Sequence, residues 1–352
     1  MRIISVAILT CLVACTALAA EPAKVDFAIS HPAIGVGEEV YLYFVPKRLG
    51  FFAKEGLEVD LKIAGNVILA AQGLQNNSFQ LATTTAPIIL KIREGGGDPV
   101  AIDNLKIDPG QQVAVLADSP IRRLEDLKGR TLGSLEWGSQ GGLALMVSLE
   151  QIGIGPNEYK RVNTGAGPAA AAALSSHQVD ALALWDAMYG AMENRGLALR
   201  YIDMPLARLL SGFSLAVSER YAAANPKVVA GFCRAVNEAL YFSRINSAAA
   251  VSILLDDAPS LVPAGGDRAA VLKDDVHIFD RYLANTLRDL PEDGRTGAIP
   301  ADVWQYVADY NRKAGKLEGT VPADKGYTTR FFEACNDFDR PAIAALARDF
   351  GK

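Results

Sequence analysis

Val59-Asp60-Leu61-Lys62-Ile63-Ala64-Gly65-Asn66-Val67 opens a stretch that continues through Leu74 and Asn76-Asn77-Ser78 to Phe79-Gln80-Leu81-Ala82-Thr83-Thr84. Residues 59–64 read as a strand, 67–76 as a helix and 80–84 as a second strand, with a glycine at the first junction and a polar turn at the second. The same order returns 100 residues later. Gly65 matches Gly165 and Leu74 matches Leu174. Phe79-Gln80-Leu81-Ala82 matches Val179-Asp180-Ala181-Leu182, and Ser176-His177-Gln178 takes the place of the first polar turn. Strand–helix–strand units of this kind imply right-handed crossovers and mainly parallel sheets. Two copies imply two α/β lobes built on one plan.

Outward from these copies the alternation holds over much of the chain. Strands are expected at 25–30, 100–105, 113–117, 131–135, 159–163, 181–185 and 199–203, with helices at 40–55, 87–94, 143–152 and 169–176. After Pro226 the pattern turns to helices, at 228–246, 268–290 and 300–313, so the C-terminal third is mostly helical. Residues 211–217 read as chain returning to the first lobe. The expected division is residues 20–110 with 208–352 as one lobe and 111–207 as the other. Two connections between lobes make a hinge, and the cleft between them is the expected ligand site.

The 352 residues fit about two domains. The formal charge of −5 and the absence of a basic run argue against nucleic acid as a partner. With three histidines and four cysteines, no metal or cofactor is expected. Arg2, an apolar run over residues 3–14 and Ala17-Leu18-Ala19 have the layout of a secretory leader over residues 1–19. Its apolar part falls short of the ~20 residues that cross a bilayer. Cleavage after Ala19 would place the mature chain in the periplasm. Leu12-Val13-Ala14-Cys15 offers a second route, a lipid anchor on Cys15. Cleavage after Ala19 leaves Cys233 and Cys335. Export permits a disulfide between them, and two reduced thiols on separate helices remain the alternative.

Gly50-Phe51-Phe52-Ala53-Lys54-Glu55-Gly56-Leu57-Glu58-Val59 resembles the GFFxxEGLxV segment of ABC-transporter substrate-binding proteins for nitrate, taurine, alkanesulfonates and thiamine pyrimidine precursors. Leu124-Glu125-Asp126-Leu127-Lys128-Gly129-Arg130 is similar to that family's LxDLKGK entry to the second lobe. Val179-Asp180-Ala181 with Trp185-Asp186 is similar to its VDAxxxWxP segment, with Ala187 in place of the proline. The resemblance covers roughly residues 25–220. It implies the two-lobed fold of type II periplasmic binding proteins, a small-molecule ligand and an ABC permease as partner. It implies neither catalysis nor a particular ligand.

Candidate ligand contacts lie where strands end and helices begin, because helix N-termini offer free N–H groups. One such place holds Thr84 and Thr85 ahead of Pro87, and the other holds Trp137, Gly138, Ser139 and Gln140. Simple helix capping is the competing role for Ser139 and the threonines. Tyr41, Trp137, Trp185 and Phe213 are candidate aromatic walls, with core packing as the alternative for Phe213. Asp186 can receive a ligand amine or cap its own helix, and His31 follows the first strand beside Pro32. The cleft loops carry no Lys or Arg, which disfavours a dianion. A sulfonate, a carboxylate or a pyrimidine-like ring remain candidates for a monomeric binding protein.

Rival chemistries have weaker support. Gly165-Ala166-Gly167-Pro168-Ala169-Ala170 fits the dinucleotide pattern G-x-G-x-x-A, with Asp186 placed 21 residues after Gly165 for a ribose hydroxyl. An NAD(P)-binding oxidoreductase is therefore the alternative function. The first copy has the same unit at Gly65 without that fingerprint, so the architecture alone accounts for the glycine. No H-E-x-x-H, Walker loop or G-x-S-x-G is present. The cysteine-rich motif of the thiamine-pyrimidine-synthesising branch is also missing.

Overall fold

The structure, a computed structural model, describes residues 21–106, 110–204, 213–288, 290, 291 and 293–351. The expected leader, Cys15, and parts of both expected connections between lobes lie outside these residues. Among these residues ten strands form two sheets: β1 Ala23–Ile29, β2 Leu57–Ile63, β3 Leu81–Thr85, β4 Pro99–Lys106, β5 Gln111–Leu116, β6 Thr131–Ser134, β7 Lys160–Asn163, β8 Ala181–Trp185, β9 Leu199–Ile202 and β10 Phe213–Ser218. The first sheet has the order β2-β1-β3-β10-β4 and the second β7-β6-β8-β5-β9. Both sheets are mixed: β10 runs antiparallel to β3 and β4, and β5 antiparallel to β8 and β9.

The N-terminal helices are α1 Val45–Arg48, α2 Phe51–Lys54, α3 Val67–Gln75, α4 Ala86–Glu94, α5 Gln140–Gln151, α6 Pro168–Ser175 and α7 Asp186–Glu193. The helix expected over residues 40–55 is broken. A π-turn spans Val40–Phe44, and Gly50 at φ 74° separates α1 from α2. Elsewhere local chemistry sets the boundaries. Asn66 accepts the N–H groups of Ile68 and Leu69 to start α3, and Ser139 accepts that of Gly142 to start α5.

The repeat is real in three dimensions. Asn77 and His177 both take positive φ, 62° and 57°, at the same turn. The side chain of Gln80 receives the N–H of Asp26 in the interior strand β1, and that of Asp180 receives the N–H of Thr131 in β6. One βαβ plan thus carries both its glycine turn and its side-chain lock twice.

The C-terminal helices are α8 Glu219–Ala224, α9 Pro226–Ile245, α10 Ser247–Asp257, α11 Arg268–Thr286, α12 Ala301–Lys313, α13 Phe332–Asn336 and α14 Arg340–Asp349. Phe232 of α9 packs between Phe27 of β1 and Phe52 of α2, each with ring centroids 5.1 Å away. The structure joins Cys233 of α9 to Cys335 of α13 in a disulfide, with Cα atoms 5.1 Å apart. Helix α11 crosses to the second sheet's side and packs on α7. There Glu193 is the common acceptor for His277 at 2.8 Å, Arg281 at 3.1 Å and the Tyr201 hydroxyl at 2.6 Å. His277, exposed on α11, therefore joins a contact between the C-terminal helices and the second sheet's side of the molecule.

Candidate functional site

The C-terminal ends of β1, β3, β6 and β8 surround a cavity of about 540 Å³. Its size is ordinary for a small-molecule site. One wall comes from residues after β1 (His31, Glu38, Glu39), from Thr85 at the end of β3 and from Phe213 at the start of β10. The other comes from Ser139, Gln140 and Gly141 at the start of α5, and from Gln111, Trp185 and Asp186. Tyr282 of α11 also reaches it.

Seven of the eleven sequence candidates are thus gathered around one space: His31, Thr85, Ser139, Gln140, Trp185, Asp186 and Phe213. Four are not among its lining residues. The Thr84 hydroxyl donates to the Val67 carbonyl at 2.9 Å, tying β3 to α3. Tyr41 is fully buried behind the wall, with its hydroxyl 3.3 Å from that of Tyr282. Trp137 lies over Tyr159 at 5.9 Å, and its indole N–H donates to Val162 at 3.2 Å. Its glycine-rich neighbourhood is a loop as expected, but the ring folds onto its own lobe. Gly138 precedes the turn that reaches the cavity and does not line it. Ser139 does line it, yet its hydroxyl is engaged in capping, donating to Glu136 at 2.6 Å.

Residue-type reasoning missed Glu38, Glu39, Gln111 and Tyr282. Glu38 and Glu39 are 4% and 2% exposed. They hold His31 from both sides, with Nε2 3.0 Å from Glu38 and Nδ1 3.0 Å from Glu39. The ring stacks near Phe213 at 6.3 Å. The two carboxylates engage opposite ring nitrogens, which suits an imidazolium clamp better than a shared metal centre. The hydrogen bond to Glu39 raises the His31 pKa to about 9 against the cost of burial, with the charges of Glu38 and Glu39 adding to it. A raised histidine stabilises the fold fully below its unfolded value near 6.5 and stops doing so as pH rises through about 9. Screening on its exposed side limits the effect to about 1 kcal/mol. Thermal melts from pH 6 to 10 should show that loss in the native chain and not in His31→Gln. Equal slopes for the two proteins would refute the clamp.

At the opposite wall Asp186 is 2% exposed and accepts from the Asn285 amide at 3.1 Å and from its own helix at Ala187, 2.9 Å. It therefore accepts an N–H of the first turn of α7 and lines the cavity at once. Gln111 is 7% exposed, and its Oε1 is buried with no hydrogen-bond partner among the described residues. Leaving such an acceptor unmet costs about 1–3 kcal/mol. The Gly165-Ala166-Gly167 turn follows β7, an edge strand, and does not line the cavity. Gly165 has φ 67° and Gly65 has φ 86°, so the two copies share one turn geometry. The second carboxylate group, Asp103 with Cys233 and Cys335, offers no thiolate because those sulfurs are paired.

A family model described as NMT1/THI5 like matches residues 39–248, more than half of the chain. The protein belongs to this family. This NMT1/THI5-like chain is 23% identical over 295 residues to the riboflavin-binding protein RibY of Chloroflexus aurantiacus, covering 82% of this chain and 81% of that one. The periplasmic aliphatic sulphonate binding protein SsuA of Escherichia coli superposes with a TM-score of 0.63 at 19% identity, covering 87% of this chain and 92% of that one. The SsuA of Xanthomonas axonopodis pv. citri bound to MOPS gives 0.56 at 20% identity, covering 88% and 100%. The fold of the NMT1/THI5-like chain is therefore the two-lobed one of periplasmic binding proteins. Among the described residues no helix is long and apolar enough to cross a membrane.

Proposed function

We propose that this protein is the solute-binding component of an ABC importer. It captures a small organic solute between its lobes and delivers it to a membrane permease without transforming it. The observation that carries this reading is the cavity of about 540 Å³ walled by strand ends of both sheets. A solute touching both walls is held better when they approach, so binding shifts the population toward the closed form. We further propose residues 20–110 with 208–352 as one lobe and 111–207 as the other, with export of the mature monomer to the periplasm. Periplasmic binding proteins of the same fold and a riboflavin-binding relative support a binding role.

The test is thermal melting of residues 20–352 against sulfonates, carboxylates, nitrate, pyrimidines, flavins, amines and NAD(P). A ligand at a thousand times its dissociation constant adds about 4 kcal/mol, on the order of 8 °C for a chain this long. A shift from one solute class is the expected result. A shift from NAD(P) alone would replace the binding-protein reading with that of a dinucleotide enzyme.

A further inference from the structure

A second cavity, of about 70 Å³, lies where four parts of the chain meet. Its lining includes Asp103 and Asn104 of β4, Asn237 of α9, Asn285 and Thr286 of α11, and residues 295–298. Asp103 is 3% exposed, and among the described residues no cation pairs with it. Arg295, which also lines the cavity, is engaged elsewhere, with Glu333 at 2.6 Å and Asp293 at 3.8 Å. Two more polar atoms have no partner among the described residues, Asn104 Nδ2 and Thr286 Oγ1. Asn104 is 5% exposed. The chain at Gly297, with φ 83°, presses against this group. Its carbonyl accepts the Asn104 N–H at 3.2 Å, and a Cβ there would collide with the Asp103 carboxylate.

We propose that this second cavity is a site for a small monovalent cation, of sodium or potassium size, held by the Asp103 carboxylate and the neutral oxygens around it. A carboxylate taken out of water without a counter-charge is costly. Burial accordingly pushes the Asp103 pKa up to about 7, against the hydrogen bonding of Asn237. One bound positive charge balances one carboxylate, whereas a divalent ion would leave a surplus. The nearby Cys233 and Cys335 are paired, so the ligands left are oxygens, which suit hard cations. The space holds a few water molecules or one partly hydrated small ion. A cation also accounts for both unmet atoms. Thr286 Oγ1 has lone pairs to offer it. The Asn104 Oδ1 now accepts from the Ser214 hydroxyl at 3.4 Å. A half-turn of that amide gives Nδ2 to Ser214 and brings Oδ1 to the unmet position. An ion here would brace β4, α9, α11 and the segment at Gly297 from one point. The site stands whether or not the larger cavity takes a solute, though Asn285 joins the two by donating to Asp186 at 3.1 Å.

The test is thermal melting of residues 20–352 in the chlorides of sodium, potassium and tetramethylammonium at equal ionic strength. Tetramethylammonium carries the same charge but is too bulky and apolar to be wrapped by these oxygens. At about a hundred times its dissociation constant, sodium or potassium should raise the melting temperature by roughly 5 °C over tetramethylammonium, and the rise should level off with concentration. Asp103→Asn should abolish the difference, while Asp60→Asn, at an exposed position of β2, should keep it. Thr286→Val should at least halve the difference with no loss of stability in tetramethylammonium. A merely structural hydroxyl would not give that pattern. Equal melting in all three salts overturns the site. So does a rise that never levels off or that persists in Asp103→Asn, since the salt then acts on the surface at large. If Asp103→Asn does not fold, levelling off in the native chain and the reduced difference in Thr286→Val decide instead.

Discussion

Replacing both Cys233 and Cys335 with alanine should lower stability by about 4–5 kcal/mol, the chain-entropy value for a loop of roughly 100 residues. The bridge spans a sequence separation of 102. For a chain of this length that corresponds to roughly 10 °C in melting temperature. The effect should be large because the short α13 depends on α9. Besides the bond itself, Arg234 donates to the Ala334 carbonyl at 2.9 Å and Asn237 to that of Cys335 at 3.2 Å. One face of α9 therefore grips three successive features of a five-residue helix. Both cysteines are buried and neither lines the cavity, so solute affinity in the folded variant should stay within two-fold. Calorimetric melting of the oxidised protein beside the double variant measures the loss. A difference below 1 kcal/mol would mean that the packing holds α13 unaided.

Gly141→Ala should cost less stability than loss of the disulfide, but it should act on the site as well. A Cβ there would lie 2.5 Å from the Ala183 carbonyl oxygen and 2.8 Å from Gln111 Oε1. The first of these is backbone at the heart of β8, so the start of α5 must move instead. Overpacking of this kind costs about 1–3 kcal/mol. The shift also separates α5 from Gln111 and Trp185, which line the same cavity, so solute affinity should fall on the order of 100-fold. Gly138→Ala is the matched control, since a Cβ there meets nothing within 4 Å. Denaturant melts and solute titrations of the two variants check this. Similar behaviour in both would show that the close approach of α5 to β8 is not required.

The fold was legible because each copy of the repeat carries its punctuation in residue types. Gly65 and Gly165 turn the chain, and the polar triplets before Gln80 and Asp180 hold a left-handed residue at the same position, Asn77 or His177. The cavity was legible in part. Strand ends flanked by Thr85, Ser139 and Asp186 follow from chain direction alone. Glu38 and Glu39 were not legible, since two adjacent glutamates ahead of a helix read as a solvated face. Their burial depends on His31 folding back across seven residues to pair with both. Trp137 failed for the opposite reason: a loop position says where a ring starts, not which way it turns. The amphipathic pattern of α11 showed a helix, but not that its polar side would meet Glu193 of the other lobe.

The antiparallel strands β5 and β10 have a consequence for the order in which the molecule can assemble. Strand β4 touches its sheet only through β10, which the chain reaches more than a hundred residues later. A nascent chain that has passed β4 therefore holds an unfinished first sheet until the whole second lobe and β10 have emerged. Such distant pairing makes folding slow. It also keeps the growing polypeptide open, which suits the export to the periplasm proposed above.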